Sequence, residues 1–235
     1  MMGYLKLTKL SKELFSLIYD FNLSLLRLTK VFLSRIYLRF LARDLNIPNW
    51  HLNATFHARD YKSKVIKIYS ILSDDINHVI EIGCGAGELI SRINNTNKLG
   101  IDIDVNVLKL CNRLHPQLET MCLDVMKDFR ELNRYICSLN TESNILVVMV
   151  NWLHIYPSKE ANLLINNILN LNRKIILLVD IYSRKELSNR TDNKTKHDFS
   201  KLDNVKSLYH FKLIDKVRDF ELLSNYQLKL DENSY

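Results

Sequence analysis

Three of the chain's five glycines, Gly83, Gly85 and Gly87, alternate within the segment VIEIGCGAGELI, residues 79–90, just behind an apolar run that carries Glu81. Glycine adopts backbone angles that other residues avoid and lets the main chain approach a ligand closely, so this grouping has the form of a strand-to-loop cradle for a nucleoside or a phosphate. Two carboxylates follow at corresponding places: Asp102 ends the run KLGID, and Asp124 follows ETMCL. An acid at the end of a second parallel strand can accept both ribose hydroxyls of an adenosine lying along the glycine loop. One after a third strand can accept from the adenine amino group. Further on, Asn151-Trp152-Leu153-His154 follows another apolar run. His154 is the candidate general base because imidazole titrates near neutrality; the alternative is a histidine packed beneath the following helix.

These residues converge only if the elements between them alternate. Apolar runs at 79–82, 98–101, 119–123, 145–150 and 175–181 read as strands, and 87–94, 104–114, 127–139 and 158–171 read as helices. Such alternation implies right-handed crossovers and a parallel sheet covered on both faces, with ligands bound beyond the carboxyl ends of the strands. A helix over 61–72 precedes the first strand. Residues 182–204 read as a polar loop or short helix, and SLYHFKLIDKV and FELLSNYQLKL as an antiparallel hairpin. The expected fold is α/β, a Rossmann-like, mostly parallel seven-stranded sheet with an antiparallel edge hairpin, spanning 61–235 and preceded by an N-terminal helical cap over 1–60.

With 235 residues and 47% hydrophobic content, the chain can bury a full core, which excludes disordered and fibrous classes. The formal charge is +7, and residues 1–50 hold eight Lys or Arg against three acids. Leu14, Ile18, Phe21, Leu25, Leu28, Phe32 and Ile36 recur at helical spacing. Charges interrupt this stretch, whereas a membrane span needs about 20 nearly uncharged residues. Two compatible readings remain: helices capping the main domain, or a basic amphipathic element on an anionic membrane surface or a polyanion. In LNIPNWHLNATFHARDYKS, residues 45–63, Pro48 breaks the periodicity. Trp50, His57, Arg59 and Tyr61 there are expected to contact substrate or to form a lid. The four cysteines form no C-x-x-C pair and no zinc spacing, so no metal is expected; with no signal-peptide pattern, reduced thiols in the cytoplasm are.

The segments VIEIGCGAGELI, LGIDIDVNVLKLCNR, CLDVMKDF and NILVVMVNWLHIYP resemble successive motifs of the class I S-adenosylmethionine-dependent methyltransferases, over roughly residues 61–182. A dinucleotide oxidoreductase would prefer G-x-G-x-x-G, and Glu88 stands where its third glycine belongs. The resemblance implies that Glu81, Gly83, Gly85 and Gly87 shape the pocket for the methionine part of S-adenosylmethionine. It implies Asp102 on the ribose, Ile103 against adenine, Asp124 with Val125 at the base edge, and Asn151 beside the methionine moiety. Asn144 departs from the pattern, since many relatives carry an acid just before the fourth strand.

Enzymes that methylate exocyclic base amines resemble one another in an Asn/Asp-Pro-Pro-aromatic turn, and here the proline pair is missing. The expected function is therefore methyl transfer from S-adenosylmethionine to a small molecule or a sugar of a glycoconjugate. The alternatives are an RNA methyltransferase that grips RNA with its basic N-terminal helices, and a non-catalytic partner of the same fold. The expected location is cytoplasmic, with peripheral contact to the inner membrane face.

Overall fold

The computed structural model describes residues 24–95, 97–182, 197–199, 202, 204–212, 218–228 and 230. It divides into two compact units, one up to Asp60 and one from Tyr61.

In the first unit, helix α1 spans 24–41, and Leu14, Ile18 and Phe21 of the predicted stripe lie outside the described residues. Leu38 and Ala42 are buried, at 1% and 5% exposure. Three arginines of α1 face the segment that follows: Arg35 donates to the Asn53 carbonyl (3.4 Å), Arg39 to Asn53 Oδ1 (3.0 Å), and Arg27 to the His57 carbonyl (3.2 Å) while pairing with Asp60. The segment expected to contact substrate or to form a lid holds helix α2 (Asn49–Asn53) and a 3-10 turn at Phe56–Ala58. Pro48, with φ −58°, stands immediately before α2, where a fixed φ and a missing N–H suit a helix start.

Helix α3 (Asp60–Leu72) leads into the second unit and buries Tyr61, Lys62, Val65, Ile68, Tyr69 and Leu72 at helical spacing. Strands β1 (His78–Ile82), β2 (Lys98–Asp102), β3 (Glu119–Cys122), β4 (Asn144–Met149) and β5 (Lys174–Tyr182) follow. They alternate with helices α4 (Val105–Leu114), α5 (Phe129–Ser138) and α6 (Ser158–Leu169). Strands β6 (Ser207–Lys212) and β7 (Arg218–Ser224) complete a seven-stranded sheet of order β3-β2-β1-β4-β5-β7-β6, with β1 to β5 parallel and β7 antiparallel to both neighbours. The predicted α/β sheet with its edge hairpin is the observed one.

The central strands β1, β2, β4 and β5 are largely apolar because both faces of the sheet are covered there, whereas the edge strand β3, ETMC, is partly exposed. Val79, Leu146, Val148, Ile176 and Leu178 enter one apolar cluster, while Ile80, Ile82, Val147, Ile175 and Leu177 enter the other. Each fully buried side chain of this kind contributes roughly 1.5–3 kcal/mol. The chain order reverses between β1 and β4, so the ends of these strands open the crevice where α/β sheets bind ligands.

One predicted element is absent. The run 87–94 is not an α-helix: the Ser91 amide bonds the Gly87 carbonyl, but Arg92 and Ile93 bond Leu89 and Ile90, three residues back, giving only a 3-10 turn at Ile90–Arg92. The Ile90 amide instead donates to Glu81 Oε2 at 3.0 Å. Asn95 also turns away, its Nδ2 donating to the Ile76 carbonyl and its Oδ1 accepting from the Asn97 amide. Asparagine commonly competes with a helix in this way. Asn144, the departure noted above, opens β4 by donating Nδ2 to the Asp75 carbonyl at 2.7 Å, a bond no carboxylate could make.

Candidate active site

The glycine loop is fastened to β2. The amides of Gly83 and Cys84 both donate to the Ile101 carbonyl, at 2.8 and 2.9 Å. Gly85 N–H donates to Asp102 Oδ2 at 2.8 Å, and the Asp104 amide reaches Asp102 Oδ1 at 3.0 Å. Asp102 is thus held by main chain on both oxygens, yet each oxygen keeps a further lone-pair site for a ligand hydroxyl. All three loop glycines have positive φ, 75°, 57° and 73°. At Gly83 a Cβ would lie 2.5 Å from Trp152 Cδ1, and at Gly87 it would lie 2.6 Å from Cys111 Sγ. Both therefore need glycine for packing as well as for conformation. Cys84 is buried, and its hydrogen bond with Cys111, followed by burial, pushes its thiol well above the ordinary range, as suits a packing role.

Glu81 is buried under the loop. Burial pushes its carboxyl up to about 8, opposed by the charge of Lys62 and by the Ile90 hydrogen bond. Lys62 is itself buried, at 8% exposure on α3. On the opposite side of the crevice, the backbone turns at Asn151 with φ 61°, and its amide donates to Asp180 Oδ1 at 2.8 Å. Asp180, near the end of β5, is 1% exposed. It fixes the turn that delivers Trp152.

The crevice is lined by Ile82, Gly83, Ile101, Asp102, Ile103, Leu123, Asp124, Val125, Trp152 and Tyr156. Its volume is only about 20 Å³, since the Trp152 indole lies against Gly83, with its ring centroid 4.9 Å from that of Tyr156 and tilted by 57°. Asp124, Val125 and Tyr156 also border a second cavity of about 450 Å³, whose other walls include Lys127, Phe129, Glu160 and Leu163. Asp124 pairs with Lys127 at 3.1 Å. Burial and then the charge of Asp124 raise the Tyr156 hydroxyl above its ordinary range.

The structure therefore brings Gly83, Asp102, Ile103, Asp124 and Val125 to one crevice, with Glu81, Gly85 and Gly87 in the adjoining strand and loop and Asn151 next to the lining Trp152 in sequence. His154 is buried, at 6% exposure, in the 3-10 turn Leu153–Ile155. Trp50 is exposed and stacked on His51, and Arg59 is exposed, both in the first unit together with His57. Tyr61 lies in an apolar core cluster of the second unit. Sequence reasoning gave no role to Lys62, Trp152, Tyr156 or Asp180. Two of these were signalled: Asp180 is a lone acid in the apolar run KIILLVDIY, and Lys62 falls on the apolar face of α3.

The lining set contains two carboxylates and no cation. Such a wall suits a cationic or neutral ligand and repels a pyrophosphate. The missing helix after the glycine loop removes the N-terminal dipole that dinucleotide folds place against phosphate.

No protein-family model and no curated protein sequence matches the chain. Solved structures do. The N-methyltransferase NodS from Bradyrhizobium japonicum WM9, in complex with S-adenosyl-L-homocysteine, aligns with a TM-score of 0.55 and 13% identity over 80% of this chain and 98% of that one. Magnesium protoporphyrin IX methyltransferase from Synechocystis PCC 6803, with bound S-adenosylhomocysteine, gives 0.52 and 14% over 70% and 83%. The small RNA methyltransferase HEN1 gives 0.50 and 11% over 72% and 26%. From sheet order, glycine loop and these likenesses together, the chain has the fold of the class I S-adenosylmethionine-dependent methyltransferases.

Proposed function

We propose that the protein is a methyltransferase that uses S-adenosylmethionine. The observation that carries this reading is the Gly85–Asp102 bond, which ties the glycine loop to a crevice walled by two carboxylates and free of lining cations. Asp102, its oxygens aimed by the Gly85 and Asp104 amides, would hold the ribose, and Ile103 and Val125 would flank the base that Asp124 orients. Gly83, Gly85 and Gly87, with Glu81 behind them, would carry the methionine part, and Asn151 would stand at its other side. When bound, S-adenosylmethionine supplies a methyl group already activated by its sulfonium, so the protein's work is to position an acceptor in line and keep water out. His154 is the proposed base for an acceptor that must lose a proton.

The acceptor is read as a small molecule or a sugar of a glycoconjugate. Asp102, Asp124 and Glu160 around the two cavities outnumber Lys127, which is already paired, and this charge disfavours a phosphate backbone. The fold alone does not choose, because the similar structures include porphyrin and small RNA methyltransferases by name. The test is incubation of the purified chain with methyl-labelled S-adenosylmethionine and separated cell fractions. Label entering the small-molecule or glycoconjugate fraction is expected. Label confined to RNA would overturn the acceptor class, and absence of transfer despite cofactor binding would favour a silent partner.

A further inference from the structure

Among the described residues, helix α1 leaves uncovered the face that an amphipathic helix ordinarily buries. Eight large apolar residues between Leu25 and Phe40 are each at least 48% exposed, with Leu28 at 65%, Phe32 at 64% and Phe40 at 59%. At 3.6 residues per turn, Leu33, Ile36 and Phe40 fall on the side opposite the buried Leu38, and Leu25 and Phe32 lie on the flank beside them. A contiguous apolar face of this length marks a surface that meets something.

The charges say what. From residue 24 to residue 43 there are five cations and no acid. Arg27, Arg35 and Arg39 are drawn toward the segment 53–60 by the bonds described above. Lys30 flanks the exposed face, and Arg43 closes its C-terminal end with its guanidinium 5.1 Å above the Phe40 ring. Aliphatic and aromatic side chains in the middle with long cationic chains at the margin is the arrangement of a helix lying in a lipid interface, where the stems reach outward to headgroups. Among the described residues, no helix is long and apolar enough to cross a membrane. A second copy fits poorly, because a two-fold contact would bring the marginal cations Lys30 and Arg43 of two copies together with no acid of α1 to compensate. RNA fits poorly too, since the centre of the face offers apolar contact rather than phosphate partners.

We infer that the outer face of α1 docks on a bilayer surface containing anionic lipid, with the helix parallel to the membrane plane. This does not depend on the methyl-transfer reading. The test is co-sedimentation of the full chain with vesicles of phosphatidylcholine alone and of phosphatidylcholine mixed equally with phosphatidylglycerol, at low and high salt. The chain is expected to partition onto the anionic vesicles and to be released by salt. Phe32→Ser with Phe40→Ser, both exposed and so not expected to unfold the chain, should lower partitioning at least about tenfold. Lys30→Gln with Arg43→Gln should lower it about 25-fold, at roughly fivefold per cation, on anionic vesicles only. An unchanged thermal transition in each variant confirms that the fold is retained. Partitioning onto no vesicle, or partitioning indifferent to the phenylalanine pair, overturns the inference. So does a dimer, or a structured RNA complex, that the phenylalanine pair abolishes while vesicles stay unbound.

Discussion

Gly83 is the residue where conformation and packing meet most closely. Its φ of 75° lies in the left-handed region, and a Cβ would stand 2.5 Å from Trp152 Cδ1. Gly83→Ala should therefore destabilise the fold by about 1–2 kcal/mol from the backbone alone, with a further loss because the indole must move; urea denaturation would measure it, and an unchanged midpoint would refute the packing. Glu81 makes a prediction of a different kind. Its folded-state carboxyl is raised from an ordinary value of 4.5 to about 8, chiefly by burial. The folded protein thus keeps a proton that the unfolded chain releases, so this stabilisation is complete at acid pH and is lost as pH climbs toward about 8. Thermal melts between about pH 5 and about pH 8 should show the wild type losing stability more steeply than Glu81→Gln. Parallel curves would mean that Glu81 is ionised in the fold. Of the site residues, the glycines and Asp102 were legible because each sits at the end of a readable strand. Lys62 was signalled only by its place on the apolar face of α3; its pairing with Glu81 was not legible, since it joins residues on separate elements that only the fold brings together.

Among the elements, α4 carries the most direct sequence-to-site link. Asp104 caps it, Oδ1 accepting from the Asn106 and Val107 amides at 2.9 and 3.3 Å, and its own amide holds Asp102. Asp104→Ala should cost about 1 kcal/mol of stability through the lost cap, read by urea denaturation. Because the backbone amide that holds Asp102 survives the change, cofactor affinity should fall far less than in an Asp102 variant; comparable losses would show that the cap, not the strand end, positions the carboxylate. The parallel strands were readable from apolar runs, since a covered parallel sheet leaves little room for anything else, and the edge hairpin from the alternation within its two runs. The helix expected over 87–94 was misread for a physical reason. Between Gly87 and the asparagines at 94 and 95 there are too few residues to repay nucleation, and Glu81 takes the Ile90 amide. Periodicity reports which face is apolar; it does not report which side chain competes for the backbone.

For the molecule as a whole, cofactor binding requires the crevice to open. About 20 Å³ cannot hold a nucleoside, and the Trp152 indole is what fills the space beside Gly83. The chain has two tryptophans, so Trp50→Phe leaves Trp152 as the sole indole reporter. Addition of S-adenosylmethionine should then shift its emission to longer wavelength as the ring leaves its apolar contact; an unaltered spectrum under saturating ligand would show that binding does not displace it. The central claim is that Asp102 and the glycine loop form a cofactor site, and titration calorimetry of S-adenosylmethionine with the wild type and Asp102→Ala tests it most directly. Saturable binding by the wild type is predicted, weakened about 10-fold to 150-fold in the variant by loss of a charge-assisted hydrogen bond. No binding by the folded wild type, or equal affinity in the two proteins, would contradict it.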